Sequence, residues 1–253
     1  MSNFLRKSGR FLFGKILPRA AYPVVTGPMR GTKFILGALA GEGGGASVYF
    51  NGMETEQTAA MLAELGDGKV FFDIGANVGY YTVLASRSVG RAGAVVAFEP
   101  VVRNLVFLQR HVNLNNADNV RILPFALSEK SSIASFSLGQ NSAMGHLADS
   151  NGGNNGKPDN LVYVPTVSLD EIAAKLNLVP DVMKIDVEGA EMEVFRGGRE
   201  TLKKARPAIF LSTHSPQLRT DCLSFLREIG YKIESLLPED ADSHEFLAKF
   251  PAK

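Results

Sequence analysis

Three acids and a lysine fall within one eight-residue stretch, Lys184-Ile185-Asp186-Val187-Glu188-Gly189-Ala190-Glu191, where an apolar run gives way to a helical one. Carboxylates at a helix start gain about 0.3–1 kcal/mol each from the macrodipole, which explains one or two of them. It does not explain Lys184 and Asp186, which fall inside a predicted central strand. Charge there is costly unless it is paired or exposed at the strand's ligand-binding end. Lys184 is therefore expected to neutralise a carboxylate, and Asp186 to point into a crevice. A second stretch, Leu211-Ser212-Thr213-His214-Ser215, ends another predicted strand. His214 is placed there to accept a proton near neutral pH. No metal site is assigned; the rival reading of these side chains is magnesium held by two or three carboxylates with His214.

The run Val70-Phe-Phe-Asp-Ile-Gly-Ala-Asn-Val-Gly-Tyr-Tyr-Thr82 is apolar up to Asp73, passes glycines at 75 and 79, and opens a helix. An α/β sheet presents backbone N–H groups and a helix N-terminus to a small anionic or nucleoside ligand in this way. The G-x-x-x-G spacing differs from the dinucleotide fingerprint G-x-G-x-x-G, which favours a nucleoside ligand other than NAD. In Phe98-Glu99-Pro100 an acid closes the second strand, where such folds bind a ribose diol. Taken singly, the glycines fit a tight turn, and Asp73 and Glu99 fit caps. Together they describe a ligand site.

Strands are expected at 69–73, 94–99, 120–126, 182–186 and 207–212, with helices at 79–89, 101–115, 169–178, 189–204 and 216–229. Ser168 and Glu171 form a capping box, and the last helix opens on Ser215-Pro216 and stops at Gly230. Residues 231–237 and 244–250 read as a closing hairpin. The fold class is thus α/β: a mostly parallel, doubly wound sheet finished by an antiparallel hairpin. Residues 1–68 form an N-terminal cap, with a loose hairpin of 32–36 against 47–50 and a helix near 55–65; residues 69–253 form the main domain. The Gly- and Asn-rich stretch 139–160 is a spacer or a substrate lid. His111 and His244 lack such context and are expected at the surface.

The 253 residues carry a net charge of +1, so no overall field argues for nucleic acid as partner. The one cysteine, Cys222, excludes an internal disulfide and suits buried filler in a reducing, cytoplasmic setting. No apolar run approaches the roughly 20 residues needed to span a bilayer. The acid-free first nineteen residues carry Arg6, Lys7, Arg10, Lys15 and Arg19. They suit a helix packed on its own domain or lying on a membrane surface. Oligomeric state is left open.

The chain resembles the FkbM family of S-adenosylmethionine-dependent methyltransferases over about residues 53–236. The matching motifs are D-I-G-A-N-V-G-Y-Y-T at 73–82, F-E-P at 98–100 with Asn104, V-S-L-D at 167–170, and K-I-D-V-E-G-A-E at 184–191. The resemblance implies a Rossmann-like methyltransferase fold and methyl transfer to a hydroxyl oxygen of a sugar, glycan or polyketide-like metabolite. It implies that Asp73, Gly75, Asn77 and Gly79 surround the methionine part of the cofactor. Glu99 would then grip the ribose, Ala126 and Leu127 would lie near the adenine, and Asp186 near the transferring methyl. His214 or Asp186 is the expected base. Family members often carry Glu two residues before the histidine; Ser212 stands there, which removes a candidate orienting carboxylate. A nicotinamide oxidoreductase is the rival enzyme and a non-catalytic binding module the rival from another class. Titrations with NADH, S-adenosylhomocysteine and acceptors separate the three.

Overall fold

The computed structural model describes residues 17–38, 46–138, 145–147, 161–237 and 244–251. In chain order the elements are β1 (Ala21–Pro23), β2 (Lys33–Ile35), a 3-10 turn (Ala46–Phe50), α1 (Thr55–Glu64), β3 (Val70–Ile74), α2 (Tyr80–Val89), β4 (Ala94–Phe98) and α3 (Val102–Leu114). There follow β5 (Val120–Leu123), β6 (Ala126–Leu127), β7 (Ser132–Leu138), β8 (Gly145–Leu147), β9 (Leu161–Val167), α4 (Leu169–Leu176) and β10 (Val182–Ile185). The chain closes with α5 (Glu191–Gly197), α6 (Arg199–Ala205), β11 (Ala208–Ser212), α7 (Pro216–Glu228), β12 (Lys232–Ser235) and β13 (Glu245–Lys249).

Seven strands form one sheet in the order β12-β13-β11-β10-β3-β4-β5. The five from β11 to β5 are parallel, and β13 joins β11 antiparallel through the hairpin with β12. Alternation along these strands sends side chains to two cores. Phe72, Phe98, Met183, Ile185 and Leu211 face α4 to α7, where Phe195, Cys222 and Leu226 are buried. Phe71, Val95, Val182 and Phe210 face α2 and the N-terminal residues Phe34, Val48, Tyr49 and Met61. Burying each such aromatic contributes about 1.5–3 kcal/mol relative to exposure. The N-terminal extension therefore shares one core of the sheet.

Local start signals act as their chemistry dictates. Ser168 Oγ accepts the Glu171 N–H at 3.2 Å, and Ser215 Oγ accepts the Leu218 N–H at 3.2 Å ahead of Pro216. Each cap is worth about 1 kcal/mol.

The structure corrects four sequence expectations. Strand 120–126 is divided at Pro124, which has no N–H for the ladder: β5 stays in the main sheet, while β6 pairs with β9 in a second sheet, β6-β9-β7-β8. Helix 189–204 breaks into α5 and α6 at the Gly197-Gly198 pair. The partner of 32–36 is β1, not 47–50. Residues 47–50 owe their apolar character to burial, and Tyr49 donates its hydroxyl to the Phe34 carbonyl at 2.8 Å. His111 is fully buried rather than at the surface. His244 is exposed as expected. Residues 1–16 of the basic segment, and most of the 139–160 stretch, lie outside the described residues. Among the described residues no helix is long and apolar enough to cross a membrane.

Candidate active site

The parallel register aligns the carboxyl ends of the central strands. Ile185 pairs with Ile74 and Ile74 with Phe98, so Asp186, Gly75 and Glu99 are each the next residue of their chains. Strand ends of this kind face the ligand crevice in open α/β sheets. The loop at 75–79 is pinned from several sides. Gly75 and Ala76 donate their N–H groups to the Phe98 carbonyl at 3.0 and 2.9 Å, and Asn77 donates its own to Glu99 Oε2 at 2.8 Å. His111 Nδ1 lies 2.6 Å from the Val78 carbonyl. Gly75 has φ +83°, and a Cβ added to it would stand 1.9 Å from the Asp186 carbonyl oxygen. Only glycine lets this loop lie against the Asp186 backbone. Gly79 N-caps α2 with no side-chain cap, so the first N–H groups of that helix are left to other partners.

Glu99 is 4% exposed. Besides Asn77, it accepts the Val101 N–H at 2.9 Å and the Asn104 amide at 3.3 Å. Burial pushes its carboxyl up, and those three bonds pull it back. Asp73 is also buried, with Oδ2 taking the Thr82 hydroxyl at 2.5 Å and Oδ1 unpartnered among the described residues. Burial raises its carboxyl against the pull of Lys184, its neighbour in the β3–β10 register. Lys184, 4% exposed, donates to Asp186 Oδ2 at 2.9 Å, and its ammonium lies 5.2 Å from the centre of the Tyr81 ring. Tyr81 in turn donates to Glu54 at 2.6 Å, carrying the network onto the N-terminal extension.

The sequence expectation for Lys184 holds: it neutralises Asp186. Burial opposes that carboxylate's charge, but Lys184 and His214 hold its pKa below the usual value. His214 follows β11 and stands among three carboxylates. Its Nδ1 lies 2.8 Å from Glu191 Oε1, and its Nε2 lies 3.4 Å from both Asp186 and Glu188. Burial alone would favour the neutral ring; the Glu191 bond and the charges of Glu188 and Asp186 outweigh it and lift the imidazole to about 9. Glu188 adopts φ 54° beside Gly189 at φ 113°, which turns the chain sharply between β10 and α5. Its carboxyl is raised, first by burial and against the pull of His214.

Asp73, Gly75, Asn77, Gly79 and Glu99 thus form one group, and Asp186 and His214 a second in contact with it. Ala126 packs near Val101 and Ala190, whereas Leu127 is 2% exposed and its side chain lies in the core. Sequence reasoning missed Glu191 as the partner of His214. It lay inside the motif that drew attention, but its place at a helix start had the simpler explanation of capping. Glu191, and not residue 212, supplies the carboxylate at His214 Nδ1.

The chain matches the profile of the methyltransferase FkbM domain over residues 73–233. None of the curated proteins matches it in sequence. Among solved structures it is similar to the methyltransferase FkbM from Methylobacillus flagellatus KT, with TM-score 0.52 and 14% identity. That likeness covers 98% of this chain and 60% of the other, so the chain spans about three fifths of that protein. A protein from Clostridium thermocellum proposed to be an rRNA methylase superimposes with TM-score 0.52 and 10% identity, over 78% of this chain and 96% of that one. Fibrillarin from Aeropyrum pernix, solved with natively bound S-adenosyl-L-methionine, gives TM-score 0.46 and 15% identity, over 76% and 72%. With its central motifs spanned by that profile, the chain belongs to the FkbM family of S-adenosylmethionine-dependent methyltransferases.

Proposed function

We propose that the chain transfers the methyl group of S-adenosylmethionine to a hydroxyl oxygen of a small acceptor: a sugar, a glycan or a polyketide-like metabolite. The observation that carries this reading is the Glu191-held imidazole of His214 beside Asp186, in contact with the glycine loop. The cofactor brings its own leaving group, a sulfonium, so much of the protein's task is alignment of oxygen, methyl carbon and sulfur. A hydroxyl, unlike an amine with its free lone pair, must also lose a proton as the new bond forms.

In this reading Asp73, Gly75, Asn77 and Gly79 surround the methionine portion, Glu99 takes the ribose hydroxyls, and Ala126 with Leu127 borders the adenine. The acceptor oxygen forms a C–O bond to the methyl carbon as the C–S bond breaks. The C–S electron pair stays on sulfur, giving S-adenosylhomocysteine, and the hydroxyl proton passes to Asp186 or to His214 in its neutral form, the minor form at neutral pH while its neighbours hold the imidazole at about 9. A net charge of +1 and a site bordered by Glu54, Asp186 and Glu188 suit a small acceptor better than a phosphate-rich nucleic acid.

The test is incubation with methyl-labelled cofactor and a panel of hydroxylated acceptors, with the product read by NMR. A new O-methyl resonance is expected. Label on nitrogen or carbon would overturn the reading, and so would tight binding of S-adenosylhomocysteine with no transfer to any acceptor.

A further inference from the structure

One imidazole at the end of β11 gathers a set of groups beyond what proton transfer needs. His214 Nε2 lies 3.4 Å from Asp186 Oδ1 and 3.4 Å from Glu188 Oε2. One ligand atom from each of Asp186, Glu188 and His214 falls within 4.8 Å of the other two. Around a six-coordinate ion with ligands at about 2.1 Å, adjacent ligand atoms are about 3 Å apart and opposite ones about 4.2 Å. The three side chains therefore converge on a common centre with only small closing movements.

Glu191 fixes the imidazole from behind. Its side chain is fully buried, and Oε2 has no hydrogen-bond partner among the described residues. Its Oε1 takes the N–H of His214 Nδ1 at 2.8 Å, so the opposite nitrogen is aimed between Asp186 and Glu188. A carboxylate behind the imidazole in this way is the usual support of a metal-bound histidine. The charges agree. Lys184 occupies Asp186 Oδ2, leaving Oδ1 on the imidazole side. Once Nε2 of the imidazole gives up its proton to act as a ligand, Asp186, Glu188 and Glu191 together face a single ammonium, and a dication balances the excess.

We propose that Asp186, Glu188 and His214 form a binding site for a divalent metal cation, with Glu191 as the positioning residue for the imidazole ligand. The donor set is one imidazole and two carboxylates, with no thiolate and with coordination positions left over, and it suits an ion of the Mn2+ or Mg2+ class. The purpose of the ion rests on the methyl-transfer reading above: an acceptor hydroxyl on an open position would be polarised toward its alkoxide, and with His214 Nε2 and Asp186 Oδ1 taken up as ligands its proton would leave to water instead of to either side chain. The site itself stands on the geometry.

MnCl2 titrated alone into the whole chain, followed by loss of the free-ion paramagnetic resonance signal, is expected to show one saturable ion per chain. Glu188→Gln and His214→Ala should each weaken binding at least tenfold, and Glu191→Ala ten- to a hundredfold, with circular dichroism showing retained fold. Glu188 is part-exposed, so its variant is the one least able to fail by unfolding. Titration of S-adenosylhomocysteine in the presence of EDTA separates the two readings. Cofactor binding without saturable Mn2+ binding in the wild type would overturn the cation site and leave methyl transfer standing. Saturable Mn2+ binding without cofactor binding would support the site and remove the methyl-transfer reading. Mn2+ binding undiminished in Glu188→Gln and His214→Ala would overturn the proposal, because the ion would then sit elsewhere.

Discussion

The buried carboxylate of Glu191 accepts a hydrogen bond from Nδ1 of His214 at 2.8 Å, joining the start of α5 to the loop after β11. An ionised carboxylate only accepts, so Nδ1 carries the proton and Nε2 is the nitrogen presented to the crevice. Glu191→Ala is expected to lower kcat ten- to a hundredfold with little change in the affinity for S-adenosylhomocysteine. Steady-state kinetics beside calorimetry check this. An equal loss in both would place Glu191 in cofactor binding instead.

Gly75 is the point where the glycine loop and the Asp186 backbone meet. With φ at +83° and the Asp186 carbonyl 1.9 Å from any Cβ, Gly75→Ala is expected to cost about 2–4 kcal/mol. S-adenosylhomocysteine binding should be lost with it. Urea unfolding is the measurement, and a midpoint equal to the wild type's would contradict the contact.

Glu99 already holds three donors of the loop and of α3. Glu99→Gln keeps the shape but turns one acceptor oxygen into a donor facing backbone N–H groups. A mismatch of this kind costs about 1–3 kcal/mol. Affinity for S-adenosylhomocysteine should therefore fall roughly ten- to a hundredfold by calorimetry, and unchanged affinity would count against Glu99 at the ribose.

His111 sets a pH dependence of stability. Its Nε2 accepts the Ile35 N–H at 3.0 Å, so Nδ1 carries the proton that goes to the Val78 carbonyl. Burial, helped by the neighbouring Arg110, holds its pKa below the ordinary value, against the pull of Val78. The unfolded chain then binds a proton first as pH falls. The contribution of His111 is complete above about 6.5 and shrinks as pH drops below that toward the folded value. Denaturation midpoints at pH 7.5 and 5.5 should differ more for the wild type than for His111→Leu. That variant should also lose about 2–4 kcal/mol at pH 7.5, for two buried groups left unpaired. Equal pH slopes would refute the assignment.

Lys184 and Asp186 could be placed from sequence because a charge inside an apolar strand has few physical explanations. The loop at 73–79 was legible for a similar reason: glycine spacing after a strand constrains local backbone, and local constraints are written locally. The caps at Ser168 and Ser215 belong to the same class. His111 was misjudged because its partners lie 33 and 76 residues away, and no neighbour in sequence announces them. The supposed hairpin of 32–36 with 47–50 failed likewise, since a strand pattern says that a segment pairs but not with what.

By itself, then, the sequence determined the strand–helix alternation, the glycine loop and the acids at the strand ends, because periodicity, turn chemistry and capping act over a few residues. Tertiary structure alone decided that Glu191 would hold His214 across 23 residues of chain, and that Asp186 and Glu188 would meet the other face of the same ring. Those meetings depend on the register of β10 beside β11 and on the left-handed turn at Glu188, which packing of the whole sheet selects.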